Sequence, residues 1–349
     1  MPQAARYLAV LTVTLLLGGC TADARTTPDS FAPLVKKVLP SVVNIAVTET
    51  ATTRDLLRDL PPELRDTPLG REFRRRFGDR LEHTIGAGSG FVIDPSGIIV
   101  TNNHVVGRAD KIVVSLTNGH QYPAKLIGQD PLTDVAVIKV VASEPLYAVI
   151  WGDSRRIEVG DWILAAGNPF GLGGSVTAGI VSAQGRDLGS GPFDNFLQLD
   201  APINPGNSGG PVFNMDGQVI GVSSVIVSPT GASVGIGFAI PSETVNQVVR
   251  QLLATGTIER GWLGVSVEDH DDTVLISAID RAGPAARAGI RPGDEVVAIN
   301  GETVSSSRGL IRAVASVTPG NSARLTVRRQ GQTMDLPVVV GLRPGTRDE

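Results

Sequence analysis

Asp200-Ala-Pro-Ile-Asn-Pro-Gly206-Asn207-Ser208-Gly209-Gly210-Pro211, continued by Val212-Phe213-Asn214 and the turn residues Met215-Asp216-Gly217, is the stretch from which the fold can be read. Glycines around a serine let the backbone turn tightly and aim successive N–H groups at one point. Serine is a poor nucleophile unless a base takes its proton and donors stabilise the oxyanion that forms. In that arrangement the amides of Gly206 and Ser208 would form the oxyanion hole. Taken alone, the segment reads equally well as a glycine-rich hairpin with a solvated serine.

The residues after Ser208 narrow the fold. Gly206-x-Ser208-x-Gly210 also fits the nucleophile elbow of α/β-hydrolases, which needs a helix after the serine and the order Ser, Asp, His. Here a strand-like run and a turn come next, and the only downstream histidine is His270. Working outward, the chain from Ser41 is a series of short Val- and Ile-rich runs broken by Gly, Pro, Asn and Asp. Val42–Val47, Gly90–Ile93, Ile98–Thr101, Lys111–Leu116, Val135–Val141, Trp162–Ala166, Gly179–Ser182, Val219–Ser224 and Gly237–Ile240 are examples. Many short strands without intervening helices predict a sandwich or barrel. For the same reason Gly86-Ala-Gly88-Ser-Gly90 is not a dinucleotide loop, since no βαβ unit surrounds it.

A nucleophilic serine needs a base, and the chain has 4 histidines. His104 ends the apolar run Ile98-Ile-Val-Thr-Asn-Asn, a position that presents a side chain at a barrel rim. His120 sits in an Asn118-Gly119 turn signal, His83 borders a charged segment and His270 lies among acids; these three read as surface residues. The imidazole in turn needs an orienting acid. Asp134 opens the apolar strand Val135-Ala-Val-Ile, a costly place for an unpaired carboxylate. Asp130, before Pro131, reads as an ordinary turn acid.

The segments Gly88-Ser-Gly-Phe-Val-Ile-Asp, Thr101-Asn-Asn-His-Val-Val, Asp134-Val-Ala-Val-Ile-Lys, Gly167-Asn-Pro-Phe-Gly and Gly206-Asn-Ser-Gly-Gly-Pro resemble those of HtrA/Deg-family serine proteases. Their order, His then Asp then Ser, is that of chymotrypsin-like barrels. The resemblance runs from about Phe31 to about residue 340. It implies a mostly β chain: a chymotrypsin-like double β-barrel over 31–256, followed by a smaller α+β PDZ domain over 257–343. It implies a serine endopeptidase without cofactor or metal, with His104, Asp134 and Ser208 as the triad and Gly206 and Ser208 as the oxyanion hole. It places Pro202 and Ile203 at the S1 pocket; with no acid there, small or medium aliphatic residues are expected at the cleavage site. Arg186 matches the arginine that senses PDZ occupancy, and an exposed loop arginine is the plainer reading. Phe31 resembles an aromatic that packs homotrimers, and equally suits a core position.

In the second domain, Gly261-Trp-Leu-Gly-Val resembles a carboxylate-binding loop. The N–H groups of Leu263, Gly264 and Val265 would receive a hydrophobic peptide C-terminus while the peptide adds a strand to the sheet edge. Gly283–Gly301 is the most recognisable PDZ stretch. Between the domains, Glu243–Ala254 is an amphipathic helix with Ser242 as N-cap and Gly256 as its stop.

Composition agrees with a globular protein. Hydrophobic residues make up 42%, and the net charge of −4 argues against a nucleic-acid partner. At the N-terminus, Arg6 precedes the apolar run Tyr7–Leu17, a signal peptide too short to span a bilayer as a helix. It ends in Leu17-Gly18-Gly19-Cys20, which resembles a lipobox, so 1–20 reads as a lipoprotein signal and 21–30 as a tether; ordinary cleavage near Ala22–Ala24, which would discard Cys20, is the plainer alternative. A lipidated Cys20 would hold the chain to a membrane of the bacterial envelope, in the periplasm. As the chain's single cysteine, it leaves no intrachain disulfide and no cysteine-based metal site. Thr50–Thr84 is an arginine-rich, acid-interleaved insertion that reads as a solvated or functional loop. The resemblance implies ATP-independent degradation of misfolded or unfolded envelope proteins, with cleavage of one membrane partner, or a holdase role, as the alternative.

Overall fold

In the computed structural model of the chain, residues 29–52, 81–171, 173–204, 206–226, 233–271 and 273–344 are described. Cys20 with the signal segment, the tether up to residue 28 and the interior 53–80 of the charged insertion lie outside them.

Six strands form the first barrel: β1 Val42–Thr52, β2 Leu81–Asp94, β3 Ile98–Thr101, β4 Lys111–Leu116, β5 Gln121–Asp130 and β6 Val135–Val140. It closes in the order β1-β2-β3-β6-β5-β4. Val43, Ile45, Ile99, Val114 and Ile138 fill its interior. Their neighbours Val42, Phe91, Val100, Val135 and Val137 turn outward into a cluster shared with Leu164, Phe213 and Val222 of the second barrel. Burial on both faces explains why Val42–Val47 and Val135–Val140 read as apolar runs rather than as alternating strands. β1 and β2 pair from Val42–Phe91 out to Thr52–Leu81, so residues 53–80 connect the tip of this hairpin. The insertion expected from Thr50 therefore gives up its ends to the ladder.

The second barrel uses β8 Trp162–Gly167, β9 Ser175–Arg186, β10 Phe196–Leu199, β11 Pro211–Phe213, β12 Gln218–Ile226 and β13 Gly237–Pro241, with β7 Ile150–Trp151 alongside β12. The order is β11-β8-β9-β10-β13-β12, and β11–β12 pairing closes it. The segment after Ser208 is thus the β11–β12 hairpin, with Gly217 at φ +80 in its turn. An α/β-hydrolase elbow is excluded because a strand, not a helix, comes after the serine.

The helix Ser242–Thr255 crosses back over both barrels, burying Val245, Val248, Val249 and Leu252 in the shared cluster. Ser242, expected to cap it, is instead its first residue. Its hydroxyl accepts from the Ser154 amide at 3.2 Å and donates to the Gly152 carbonyl at 2.8 Å. Gly256 closes the helix at φ +75 as its sequence position suggested, and Leu253 stays exposed.

Beyond it, Ile258 still packs in the protease cluster, whereas Leu263 belongs to a second, separate core containing Ile276, Val296, Leu310 and Leu325. The strands there are β14 Gly261–Trp262, β15 Val265–His270, β16 Thr273–Ile279, β17 Glu295–Ile299, β18 Glu302–Thr303, β19 Ser322–Arg329, β20 Gln332–Val339 and β21 Gly341–Leu342. The main sheet runs β15-β16-β17-β19-β20, which leaves β15 at an edge. Two helices, Pro284–Arg287 and Ser307–Ala315, complete the domain. The chain is a mostly β double barrel followed by a smaller α+β domain.

Candidate active site

His104 lies on the one-turn helix Asn103–Val106 that comes after β3, rather than at the strand's end. Asp134 closes the turn before β6 at φ +56, a conformation costly for a residue with a side chain. Three contacts from the histidine segment hold it there. The Asp134 carbonyl accepts from the Asn103 amide at 3.2 Å and from the Asn102 side chain at 2.8 Å, and its carboxylate accepts from the His104 amide at 2.9 Å. The same carboxylate meets His104 Nδ1 at 3.0 and 2.8 Å. That contact fixes the ring so that Nε2 is the nitrogen left to face a nucleophile. The His104 side chain is 48% exposed and that of Asp134 23%.

Ser208 belongs to the second barrel and shares with His104 and Gly206 the lining of an open cleft of about 910 Å³. Its hydroxyl donates to the Ser224 carbonyl at 3.4 Å and makes no hydrogen bond with His104. Gly206 stands at φ +95, where an added Cβ would come within 2.7 Å of Pro169. Gly209, at φ +83, has no room for a Cβ against the Ser89 carbonyl. Both glycines are therefore required by the turn. The Gly206 carbonyl accepts from the Ser89 hydroxyl at 2.6 Å, while the N–H groups of Gly206 and Ser208 have no partner among the described residues. Two unspent amides beside the serine are the kind of donor pair that stabilises an oxyanion.

Two serines with structural parts to play in this site were not legible as such. Ser224 Oγ donates to Asp134 Oδ2 at 2.6 Å, so one residue of β12 touches both the acid and, through its carbonyl, Ser208. A pair of serines, Ser223-Ser224, inside a buried apolar strand was the available signal. Ser89 gathers three segments: its amide donates to the Ser208 carbonyl at 2.8 Å, its hydroxyl accepts from the Asn168 amide at 2.8 Å, and its carbonyl accepts from Thr101 Oγ1 at 2.7 Å. It thereby ties the Gly167-Asn-Pro loop, the histidine strand and the serine loop to β2.

The residues expected at S1 are placed differently from each other. Pro202 is exposed. Ile203 is 1% exposed, drawn into the second barrel's core with Leu199, Val212 and Ile220. A separate cavity of about 280 Å³ also touches His104 and Asp134, and is bounded by Leu132, Phe193, Asp194, Ser224 and Ile240.

The loop carrying Phe193 and Asp194 is also where the second domain docks. Arg308 pairs with Asp187, and Arg312 donates to the carbonyls of Pro192, at 2.7 Å, and Asp194. Arg186 is exposed and bonds Gln198 Oε1 at 2.8 Å, so the second domain grips its neighbour Asp187 rather than Arg186 itself. Arg260 stacks over the Phe193 ring at 4.5 Å and makes a two-pronged pair with Asp130, at 2.7 and 2.5 Å. Asp130 is 2% exposed and also bonds Thr133. Asp130 holds its turn as expected, its carboxylate accepting from the Leu132 amide at 3.3 Å and from the Thr133 hydroxyl, and it has a second part the sequence reading missed: it anchors the interdomain linker. His120 and His270 are exposed, as expected. Phe31, just before the first helix, packs partly buried against Trp162 with ring centres 5.7 Å apart.

In the second domain, Gly264 takes φ +76, and a Cβ there would press on the Trp262 ring at 3.1 Å. Its carbonyl accepts from the Asp280 amide and that of Leu263 from the Ala285 amide, both at 2.8 Å. The N–H groups of Leu263 and Gly264 have no partner among the described residues, leaving two donors at the head of edge strand β15.

Comparison with known proteins agrees with this anatomy. Residues 88–222 match the model of the trypsin-like peptidase domain and residues 261–340 that of the PDZ domain. A probable periplasmic serine endoprotease, DegP-like, of Brucella suis biovar 1 (strain 1330) is 42% identical over 356 residues, covering 91% of this chain and 69% of that protein. One of the same description from Bartonella henselae is 39% identical, covering 98% and 76%. Among solved structures, the HtrA-type protease AlgW with a decapeptide superposes with a TM-score of 0.77 at 38% identity, over 90% of this chain and 99% of that one. The serine endoprotease from Yersinia pestis does so at 0.71 and 32%, over 91% and 100%.

Proposed function

The chain belongs to the HtrA/DegP-like family of serine endoproteases, and on that premise we propose that it cleaves unfolded or misfolded proteins of the bacterial envelope with Ser208, His104 and Asp134. The observation that carries this reading is the His104 Nδ1–Asp134 contact at 2.8 Å, in a cleft whose opposite wall bears Ser208. In the proposed reaction, Ser208 Oγ attacks the scissile carbonyl carbon and His104 Nε2 takes the hydroxyl proton. Asp134 holds the ring in the tautomer this needs and stabilises the imidazolium. The oxyanion is received by the free N–H groups of Gly206 and Ser208. His104 then returns its proton to the leaving amine nitrogen as the C–N bond breaks. Water, deprotonated by the same imidazole, hydrolyses the acyl ester and restores the Ser208 hydroxyl.

Before attack, the Ser208 hydroxyl must leave the Ser224 carbonyl and turn towards His104, a tightening expected on substrate binding. No acid stands at Pro202, which favours aliphatic over basic side chains at the cleavage site. The PDZ domain would capture hydrophobic C-termini at Leu263, Gly264 and Val265. Its grip on the 187–194 loop gives peptide binding a physical route to the cleft, past Arg186. Periplasmic placement is carried over from the descriptions of the relatives, with lipidation at Cys20 as the anchor. Assembly into a homotrimer through Phe31 completes the reading, with multi-angle light scattering as its check.

Cleavage of fluorescein-casein by the purified protein and its Ser208→Ala variant tests the assignment. The variant is expected to lose more than about 10³-fold in kcat/KM. Equal rates in the two, with or without a hydrophobic C-terminal peptide, would remove Ser208 from the reaction.

A further inference from the structure

The sequence of β15, Val265-Ser-Val-Glu-Asp-His270, alternates in a way that assigns a job to its far end. Val265 and Val267 pack against the core of the second domain. Asp269 shares their face, because its Oδ1 accepts from the amide of Ser307, the first residue of the helix Ser307–Ala315, at 2.6 Å. Ser266, Glu268 and His270 point to the other face by the two-residue period of a strand. The outer edge of β15 pairs with no strand among the described residues, and this helix flanks it.

Charge along this edge is lopsided. The helix's two arginines are already engaged, Arg308 by Asp187 and Arg312 by the carbonyls of Pro192 and Asp194. Glu268 has no ion-pair or hydrogen-bond partner among the described residues, and Asp269 bonds only the Ser307 amide. A peptide whose carboxylate sits at the free N–H groups of Leu263 and Gly264 must run antiparallel to β15 to pair with it. Each residue upstream of its terminus then lies opposite one residue further along β15. With the terminal residue opposite Val265, the third and fourth residues upstream face Glu268 and Asp269.

We propose that the open edge of β15 selects C-terminal peptides that carry Lys or Arg three and four residues before the hydrophobic terminal residue, with Glu268 and Asp269 as the residues that read them. This rests on the PDZ domain receiving C-termini as argued above. Directly opposed charge pairs on neighbouring strands are individually modest. Two of them amount to about five- to tenfold in Kd at low salt, shrinking as ions screen these exposed groups.

Fluorescence anisotropy with the full chain bearing Ser208→Ala, which prevents cleavage, provides the test. Three decapeptides share one hydrophobic C-terminus and differ only at the third and fourth upstream positions, which are Lys-Lys, Ser-Ser or Glu-Glu. The expected order of affinity is Lys-Lys, then Ser-Ser, then Glu-Glu. The spread should exceed about fivefold in roughly 50 mM salt, collapse towards unity in about 0.5 M salt, and narrow or invert in Glu268→Lys. Asp269 is left intact because it holds the start of the helix. Equal binding of the three peptides overturns the charge selection while leaving the PDZ reading in place. A Lys-Lys preference that Glu268→Lys leaves unchanged overturns its assignment to this edge. Failure of all three peptides to bind overturns the PDZ reading and the selection with it.

Discussion

Asp130 and Asp134 bracket a single turn between β5 and β6, and each holds a basic side chain, yet the two pairs are built for opposite purposes. Asp134 is part-exposed, sits at φ +56 and meets the imidazole of His104, whose side chain is half open to the cleft. Asp130 is 2% exposed and grips the planar guanidinium of Arg260 with two parallel hydrogen bonds. One pair is open to the cleft and strained. The other is sealed beneath the linker to the PDZ domain, and Phe193 lies against its arginine. The difference teaches that a carboxylate's role here is set by its partner's chemistry and its access to water, not by its position beside a turn.

Breaking each pair should therefore give different losses. Asp134→Asn is expected to reduce kcat of casein cleavage by about 10⁴-fold with the fold intact, because the amide favours the wrong imidazole tautomer; steady-state kinetics beside circular dichroism would check both halves. Asp130→Ala should instead destabilise the docking of the two domains by about 3–5 kcal/mol, since it strands the Arg260 charge in a buried site. Differential scanning calorimetry should then resolve two transitions, and Asp130→Leu combined with Arg260→Met should recover much of the loss. An Asp130→Ala protein with an unchanged thermogram would mean that the pair is not a structural anchor.

Ser224 sharpens the contrast, since its hydroxyl serves Asp134 alone. Ser224→Ala is expected to lower kcat by about 10- to 100-fold, the range for losing one hydrogen bond to a charged group. KM should barely move, and Ser224→Thr should restore most of the rate. An equal loss in kcat and in affinity would point to a substrate contact instead.

A third aspartate extends the comparison into the PDZ domain. Burial pushes the Asp294 carboxyl up, but hydrogen bonds from Arg329 at 2.6 and 2.7 Å, the Arg291 amide and the two nearby positive charges outweigh it, leaving the pKa below the ordinary 3.8. Between that lowered value and 3.8 the unfolded chain binds more protons than the folded one, so stability rises with pH across the window. In Asp130→Ala, where the two transitions separate, the PDZ transition should hold its Tm above about pH 5 and fall on acidification through that window. With Asp294→Asn added, the domain should start lower and lose this part of the acid sensitivity, as a calorimetric pH series would record.

Apolar runs and turn residues are local signals, and they carried a sandwich or barrel and the preference for Asp134 over Asp130 as partner of His104; the double barrel and the PDZ domain came from the family resemblance. The sequence did not carry Asp130–Arg260, whose partners stand 130 positions apart. Nor did it carry Ser89 and Ser224, since a serine within a strand looks the same whether it hydrogen-bonds a carboxylate or merely fills space. Ser242 resembles a cap in sequence because the real competitor for its hydroxyl, the 152–154 segment, lies far away along the chain. The burial of Ile203 was not legible for a related reason: proximity to the nucleophile along the chain does not say how deep in the barrel wall a side chain sits.

Intact-mass spectrometry after treatment with diisopropyl fluorophosphate addresses the acyl-transfer site at its reacting atom. A single adduct is predicted in the wild type, mapped by peptide sequencing to Ser208, absent in Ser208→Ala and strongly slowed in His104→Ala. A wild-type protein that cleaves casein while staying unlabelled, or that takes the label on another residue, would contradict the assignment of the nucleophile and its base.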